Sequence, residues 1–259
     1  MHVQREIGSK HLALGADDLL HEPNSNISGA PPFRDAIVEF TFRAASHETY
    51  VAGQMYEYLR HLGWNLHPTN SSNAVFRFGP DFLTSAGEVP SLIKDSLRVQ
   101  ILPFALTFNF NQPYPGWRGS YLPHISNICE VLDQAKVALL QRVGLRFVNE
   151  LPNEDIFLLS NRTPRSFTSF TIERRQVSLT IIQNDIEGQV NLANGLSGSD
   201  GQDYSLIDVD LQIDFSNNDV SFAQGLQRIQ DLHALNKQII FGELLPMSFV
   251  EKFGPTYEH

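Results

Sequence analysis

Cysteine is almost missing from this chain: Cys129 is the only one in 259 residues. One thiol cannot close an internal disulfide, and a zinc site built from several thiolates is excluded. Positive charge is also scarce. Lys and Arg number 19 against 29 Asp and Glu, for a formal net charge of −10. Phosphate backbones are held by clustered Lys and Arg, and the densest basic spots are only Arg162 with Arg165 and the pair Arg174-Arg175. The balance therefore disfavours nucleic acid as a partner. No apolar run reaches the ~18 residues of a membrane span, and "MHVQREIGSKHLALGADD" carries charges early without a signal-type apolar stretch. A cytoplasmic protein without a membrane partner is expected. Catalytic signatures are lacking too. There is no H-E-x-x-H, P-loop, G-x-G-x-x-G or G-x-S-x-G, and no cofactor is predicted.

What is present is core-forming material. Hydrophobic residues make up 42% of the chain, enough for a substantial buried interior. Residues 1–31, which include "HEPNSNISGAPP", have linker composition and read as a flexible arm. Residues 32–259 read as a single domain, with 32–151 and 152–259 as its two lobes.

Within it, "AIVEFTFRA" (36–44) predicts a strand. Ser46 then caps a helix that Gly63 ends, with Val51, Met55, Tyr58 and Leu62 at helical spacing. "NAVFRFGP" (73–80) reads as a strand. "LRVQILPFALTFNFN" (97–111) reads as one long extended segment with Pro103 at an edge or bulge. A second helix is predicted over about 119–142 from the stripe Tyr121, Ile125, Ile128, Leu132, Ala135 and Leu139. "VGLRFVNEL" (143–151) is the next strand. "SFTSFTIER" and "QVSLTIIQND" read as a hairpin turning near Arg175, followed by the strand "GQVNLAN" and the loop "GLSGSDGQ". Asn218 caps a last helix from about Val220, with Phe222, Leu226, Ile229 and Ile240 on one stripe. Runs of strands joined by hairpin-length links, with few helices, predict an α+β fold. Its sheet is mostly antiparallel and curved, with helices packed on one face, either as one unit or as two fused β-α units.

One stretch carries most of the functional interest. "SLIDVDLQIDF" (205–215) alternates, with Ile207, Val209, Leu211, Ile213 and Phe215 on one side and Asp208, Asp210, Gln212 and Asp214 on the other. Strand geometry sets i and i+2 carboxylates about 6.8 Å apart on one face. Such a row suits a hard cation if a neighbouring strand adds a ligand. It equally suits the wet side of a sheet, with Arg146, Glu173, Arg174 and Thr180 as cross-strand partners. A partner-binding face is the third alternative.

"NFNQPYPGWRGSY" gathers Phe110, Tyr114, Trp117, Tyr121 and Arg118. These side chains either stack on a ligand or fold their rings onto the sheet. His233, beside the apolar stripe of the last helix, is either a packed histidine or a binding residue. Cys129 falls on the stripe of the second helix and reads as a small buried hydrophobe.

Several of these stretches carry a family resemblance. "PPFRDAIVEFTF", "VGLRFVNEL", "LIDVDL" and "DLHALNKQIIFGELL" resemble the start, central strand, acidic strand and closing helix of an uncharacterised prokaryotic family described as sporadically distributed. The resemblance spans roughly residues 32–250. Gly144, Arg146, Asn149, Asp208, Asp210, His233 and Phe241 match its pattern. Glu150 stands where a basic residue is expected, and Phe147 where a tyrosine is. The patchy distribution of that family implies horizontally moved genes, as in defence or toxin–antitoxin modules, and brings no established activity.

Taken together, the expectation is a non-enzymatic accessory protein that binds a protein partner, itself a homo-oligomer, with Arg146, Asn149, Asp208, Asp210, Asp214, Trp117, Arg118 and His233 as candidate binding residues. The alternatives are a metal-dependent enzyme acting on phosphorylated or nucleotide substrates at Asp208, Asp210 and Asp214, and a small-ligand-sensing cup.

Overall fold

Two strands in the middle of the sheet organise the chain. β1 (Phe33–Ala44) and β6 (Ala138–Pro152) pair antiparallel, Val38 opposite Leu145 and Phe40 opposite Val143. Val38, Phe40, Phe42, Val143, Leu145 and Phe147 are each at most 1% exposed, so one side of this pair is core along its length. The computed structural model describes residues 33–44, 48–67, 91–95, 97–102, 104–110, 117–136, 138–159, 175–197, 201–215 and 218–250. The arm at 1–31, the strand read at 73–80 and "SFTSFTIER" lie outside the described residues.

The remaining strands are β2 (Asn65–His67), β3 (Ser91–Lys94), β4 (Leu97–Ile101), β5 (Ala105–Phe110), β7 (Arg175–Gln183), β8 (Ile186–Ser197) and β9 (Asp203–Asp214). Among the described residues they complete an open nine-stranded sheet in the order β2-β3-β4-β5-β1-β6-β9-β8-β7, with every neighbouring pair antiparallel. The helices are α1 (Glu48–His61), α2 (Leu122–Ala135), α3 (Ile156–Leu159), α4 (Phe222–Lys237) and α5 (Met247–Val250). The fold is α+β. The order repeats itself outward from the centre: β1 is followed in space by β5, β4 and β3, and β6 by β9, β8 and β7. Each half begins with its central strand, and its strands are followed by a long helix, α2 or α4. The two topological halves meet between α2 and β6.

α2 and α4 cover the sheet's apolar face. Tyr121, Ile125, Ile128 and Leu132 of the α2 stripe are all at most 1% exposed. A π-helical turn, Trp117–Tyr121, leads into α2, and the Tyr121 hydroxyl lies 3.0 and 2.8 Å from the carbonyls of Ala36 and Phe108. In α4, Gly225 packs where a Cβ would collide with Leu140 and Val143 of β6. The N-terminus of α4 is tied down twice. Ser221 and Gln224 form a reciprocal capping box, and Asp133 near the end of α2 accepts from the N–H groups of Phe222 and Ala223, both at 2.7 Å. Asp133 joins the last turn of one covering helix to the first turn of the other.

Several boundaries differ from the sequence reading. α2 ends at Ala135, because Lys136 adopts a left-handed conformation, φ +51°, that no helix continues through. Leu139 therefore belongs to β6. The described part of 97–111 is two strands, β4 and β5, folded back on each other; Pro103 lies outside the described residues. The β7–β8 hairpin turns at Asn184-Asp185, with Asn184 at φ +56°; the hairpin read near Arg175 has its first strand outside the described residues. The cap of α4 is Ser221, not Asn218. β3 was not anticipated.

Candidate functional site

The face of the sheet away from α2 and α4 holds the charged residues. Alternation along β9 sends Ile207, Val209, Leu211 and Ile213 into the core, each at most 1% exposed. Asp208, Asp210, Gln212 and Asp214 point the other way. β6 lies beside β9 with Arg146 opposite Asp210 and Arg142 opposite Asp214. On its other side β6 meets β1, with Gly144 opposite Glu39.

Arg146 does not use its direct neighbour. Its guanidinium reaches diagonally to Asp208, with Nε donating to Oδ1 at 2.8 Å and Nη2 to Oδ2 at 2.9 Å. This is the two-point fork geometry that suits Arg and a carboxylate. Arg142 makes the corresponding diagonal toward β1, Nη2 donating to Glu39 Oε1 at 3.0 Å. Thr41 donates to the same oxygen at 3.1 Å. Glu39 is 2% exposed, and burial pushes its pKa up despite the pull of Arg142.

Asp210 lies between these pairs. Burial pushes its carboxyl up to about 7; Arg146 pulls the other way, and the neighbouring carboxylates of Asp208 and Glu39 add to the rise. The row can thus take up a proton near neutrality. Asp208 is engaged by Arg146 through both oxygens, and among the described residues no group of three or more His, Cys, Asp or Glu is placed to hold a metal ion. Asp214, at the end of the row, is exposed. Thr180 lies on β7, two strands beyond β9.

The other candidates are dispersed. Asn149 faces the helix side, 1% exposed, and its Nδ2 donates to the Ile207 carbonyl at 3.2 Å. Trp117 and His233 find each other: their rings stack at 4.2 Å and 7° between α4 and the turn ahead of α2. Phe147 lies 6.5 Å from Trp117 and 5.8 Å from His233. Trp117 and His233 are each 4% exposed, so this stack pins the two helices over β6 and offers no open ring face. Arg118, next in the same turn, is exposed. The structure thus joins Arg146 with Asp208 and Asp210, and Trp117 with His233, in two separate places on opposite faces.

Glu39 and Arg142 are the members that sequence reasoning missed. A lone acidic residue amid the apolar "AIVEF" was the available signal. A second arginine cluster lies at the β7–β8 turn, where Arg228 of α4 donates to both oxygens of Asp185, at 2.7 and 2.8 Å, and to Asp231 at 2.7 Å. It borders a cleft of about 320 Å³ lined also by Gln183, Asn184 and Gln238.

No protein-family model matches the chain, and no curated protein matches it.

Proposed function

We propose that the protein acts by binding a basic protein partner through the surface of its second half. The reading rests on one observation. Among the described residues from 138 to 250, every exposed charged side chain is acidic: Asp185, Glu187, Asp203, Asp214 and Asp219. The arginines there are paired or stacked within the chain. Arg142 holds Glu39, Arg146 holds Asp208, Arg228 holds Asp185 and Asp231, and Arg175 lies 5.8 Å over the ring of Phe157. Lys237 is buried. Over the described residues, a surface whose arginines are paired within the chain while its carboxylates stand outward attracts positive partners at long range and repels nucleic acid. An accessory role in the cytoplasm, restraining or escorting a basic protein of a mobile module, fits both this surface and the family resemblance.

The test is capture on the immobilised full chain at low and high salt. A basic protein should be retained at about 0.05 M salt and released at about 0.5 M, where the screening length falls to a few ångströms. The triple variant Glu187→Lys, Asp203→Lys, Asp214→Lys should retain much less. Retention of nucleic acid in place of protein, retention indifferent to the triple variant, or no retention at all overturns the proposal.

A further inference from the structure

We propose that two copies of this chain join edge to edge through β7, antiparallel about a two-fold axis at Leu179, so that their sheets become one. The proposal stands apart from the acidic surface and rests on the last strand of the sheet.

β7 closes one edge, and among the described residues it pairs with β8 alone. It runs nine residues without a register shift against β8. Gln176, Ser178, Leu179, Thr180, Ile182 and Gln183 are exposed, Leu179 at 47% and Ile182 at 73%. Long free edges are ordinarily blunted by lysine, proline, inward charges or bulges. "RQVSLTIIQ" has none of these, and its one charge is Arg175 at the end. In a chain of net charge −10, this strand carries no carboxylate and brings no like charges together when copied against itself.

The direction of its hydrogen bonds can be read from the structure. The Arg175 N–H points toward β8, where it donates to Asn194 Oδ1 at 2.6 Å. Antiparallel strands alternate their bonding side residue by residue. Gln176, Ser178, Thr180 and Ile182 therefore turn their N–H and C=O groups outward. Placing the axis at Leu179 sets Ser178 opposite Thr180 and Gln176 opposite Ile182, and these outward groups exchange about eight hydrogen bonds across the seam. On the helix side of the strand, Leu179 meets Leu179 and Val177 meets Ile181. On the other side, hydroxyl meets hydroxyl at Ser178 and Thr180. Matched cross-strand pairs of this kind stabilise sheets.

A second copy fits better than an open-ended stack. Among the described residues the far edge of the sheet is β2, of three residues, which offers no counterpart for a nine-residue edge. Pairing of β7 with itself uses up the long edge and closes the assembly.

Sedimentation of the full chain across a dilution series should show a species of twice 29.2 kDa. Thr180→Pro removes an outward N–H and leaves the bonds to β8 in place; it should give a monomer with unchanged far-ultraviolet circular dichroism. Leu179→Cys should form a disulfide-linked dimer under mild oxidant, because this residue faces itself across the axis. Ser178→Cys, facing Thr180, should cross-link far more slowly. A wild-type monomer at every concentration overturns the proposal. So does a dimer that survives Thr180→Pro, or cross-linking at 178 as fast as at 179.

Discussion

Arg146 holds Asp208 by both carboxylate oxygens, at 2.8 and 2.9 Å, while Asp210, its direct opposite in the β6–β9 pairing, is passed over. Asp208 is 7% exposed. Removing one member of such a pair leaves a charge uncompensated away from water. Arg146→Ala should cost about 3–5 kcal/mol, measured by urea unfolding. Arg146→Lys keeps the charge but loses the fork and should fall between the two. The double variant Arg146→Ala, Asp208→Ala should be more stable than Arg146→Ala alone, because the orphaned charge is gone. A cost under about 1 kcal/mol for Arg146→Ala, the level of an exposed pair, would contradict this.

Asp210 makes stability depend on pH in an unusual direction. Its folded pKa, about 7, lies above the ordinary aspartate value. Between roughly pH 4 and pH 7 the folded chain keeps a proton that the unfolded chain has lost. The stabilisation from this group is therefore complete below about pH 4 and disappears as pH rises through 7. Asp210→Asn removes the proton without removing the polar side chain. Unfolding midpoints measured from pH 5 to 8 should fall less steeply with pH in the variant than in the native chain. Glu39, also raised, contributes the same sign to both proteins. Equal slopes would exclude the assignment.

Much of this face was legible from alternation alone. "SLIDVDLQIDF" shows which side is core, and Arg146 was already one of the cations within reach. The identity of Arg146's partner was not legible, because direct and diagonal neighbours differ only by side-chain reach. Glu39 and Arg142 stayed hidden for a different reason. They are 103 positions apart, and nothing local in either segment says that β1 lies beside β6. The β7–β8 turn has a local signal, Asn184, which tolerates φ +56° between two strand-like runs. The α2 boundary failed because Leu139 continues the helical period by coincidence, although it belongs to β6. Ser221 was recoverable, since Ser-x-x-Gln before an apolar run is a capping-box pattern.

Asp133 gives a third expectation. It accepts two backbone N–H groups of α4 at 2.7 Å, from a helix 89 residues earlier. Asp133→Ala should destabilise by about 1–2 kcal/mol, the range of a strong N-cap. Asp133→Asn keeps an acceptor but loses the charge that favours a helix N-terminus, and should cost less. Ser221→Ala removes a different acceptor, the one serving Gln224. Hydrogen exchange should then accelerate first in the opening turn of α4, and uniform acceleration along the helix would speak against a capping role.

Cys129 should be silent in the folded protein. It is 1% exposed on the buried side of α2, and burial holds its thiol well above the usual range. The thiolate is the reactive form, so a water-soluble disulfide reagent should label it only on unfolding. The labelling rate in increasing urea should track the unfolded population. Rapid labelling in native buffer would contradict the burial.

Gly225 sets two effects against each other. In an exposed helix, Gly→Ala gains about 1 kcal/mol of helix propensity. Here the added Cβ would run into the Leu140 side chain and press on Val143. Both belong to β6, the central strand, which is held on one side by β1 and on the other by β9. The strand cannot retreat, so α4 has to lift. Overpacking of this kind costs about 1–3 kcal/mol, which outweighs the propensity gain or cancels it. Gly225→Ala should be neutral to destabilising by about 2 kcal/mol. Leu140→Ala in the same chain opens the space that the new methyl needs. The pair of changes should then cost less than the sum of the two alone, measured as a double-mutant cycle by urea unfolding. Strict additivity would mean that the methyl at 225 never meets Leu140, and that the close approach of α4 to β6 does not depend on glycine.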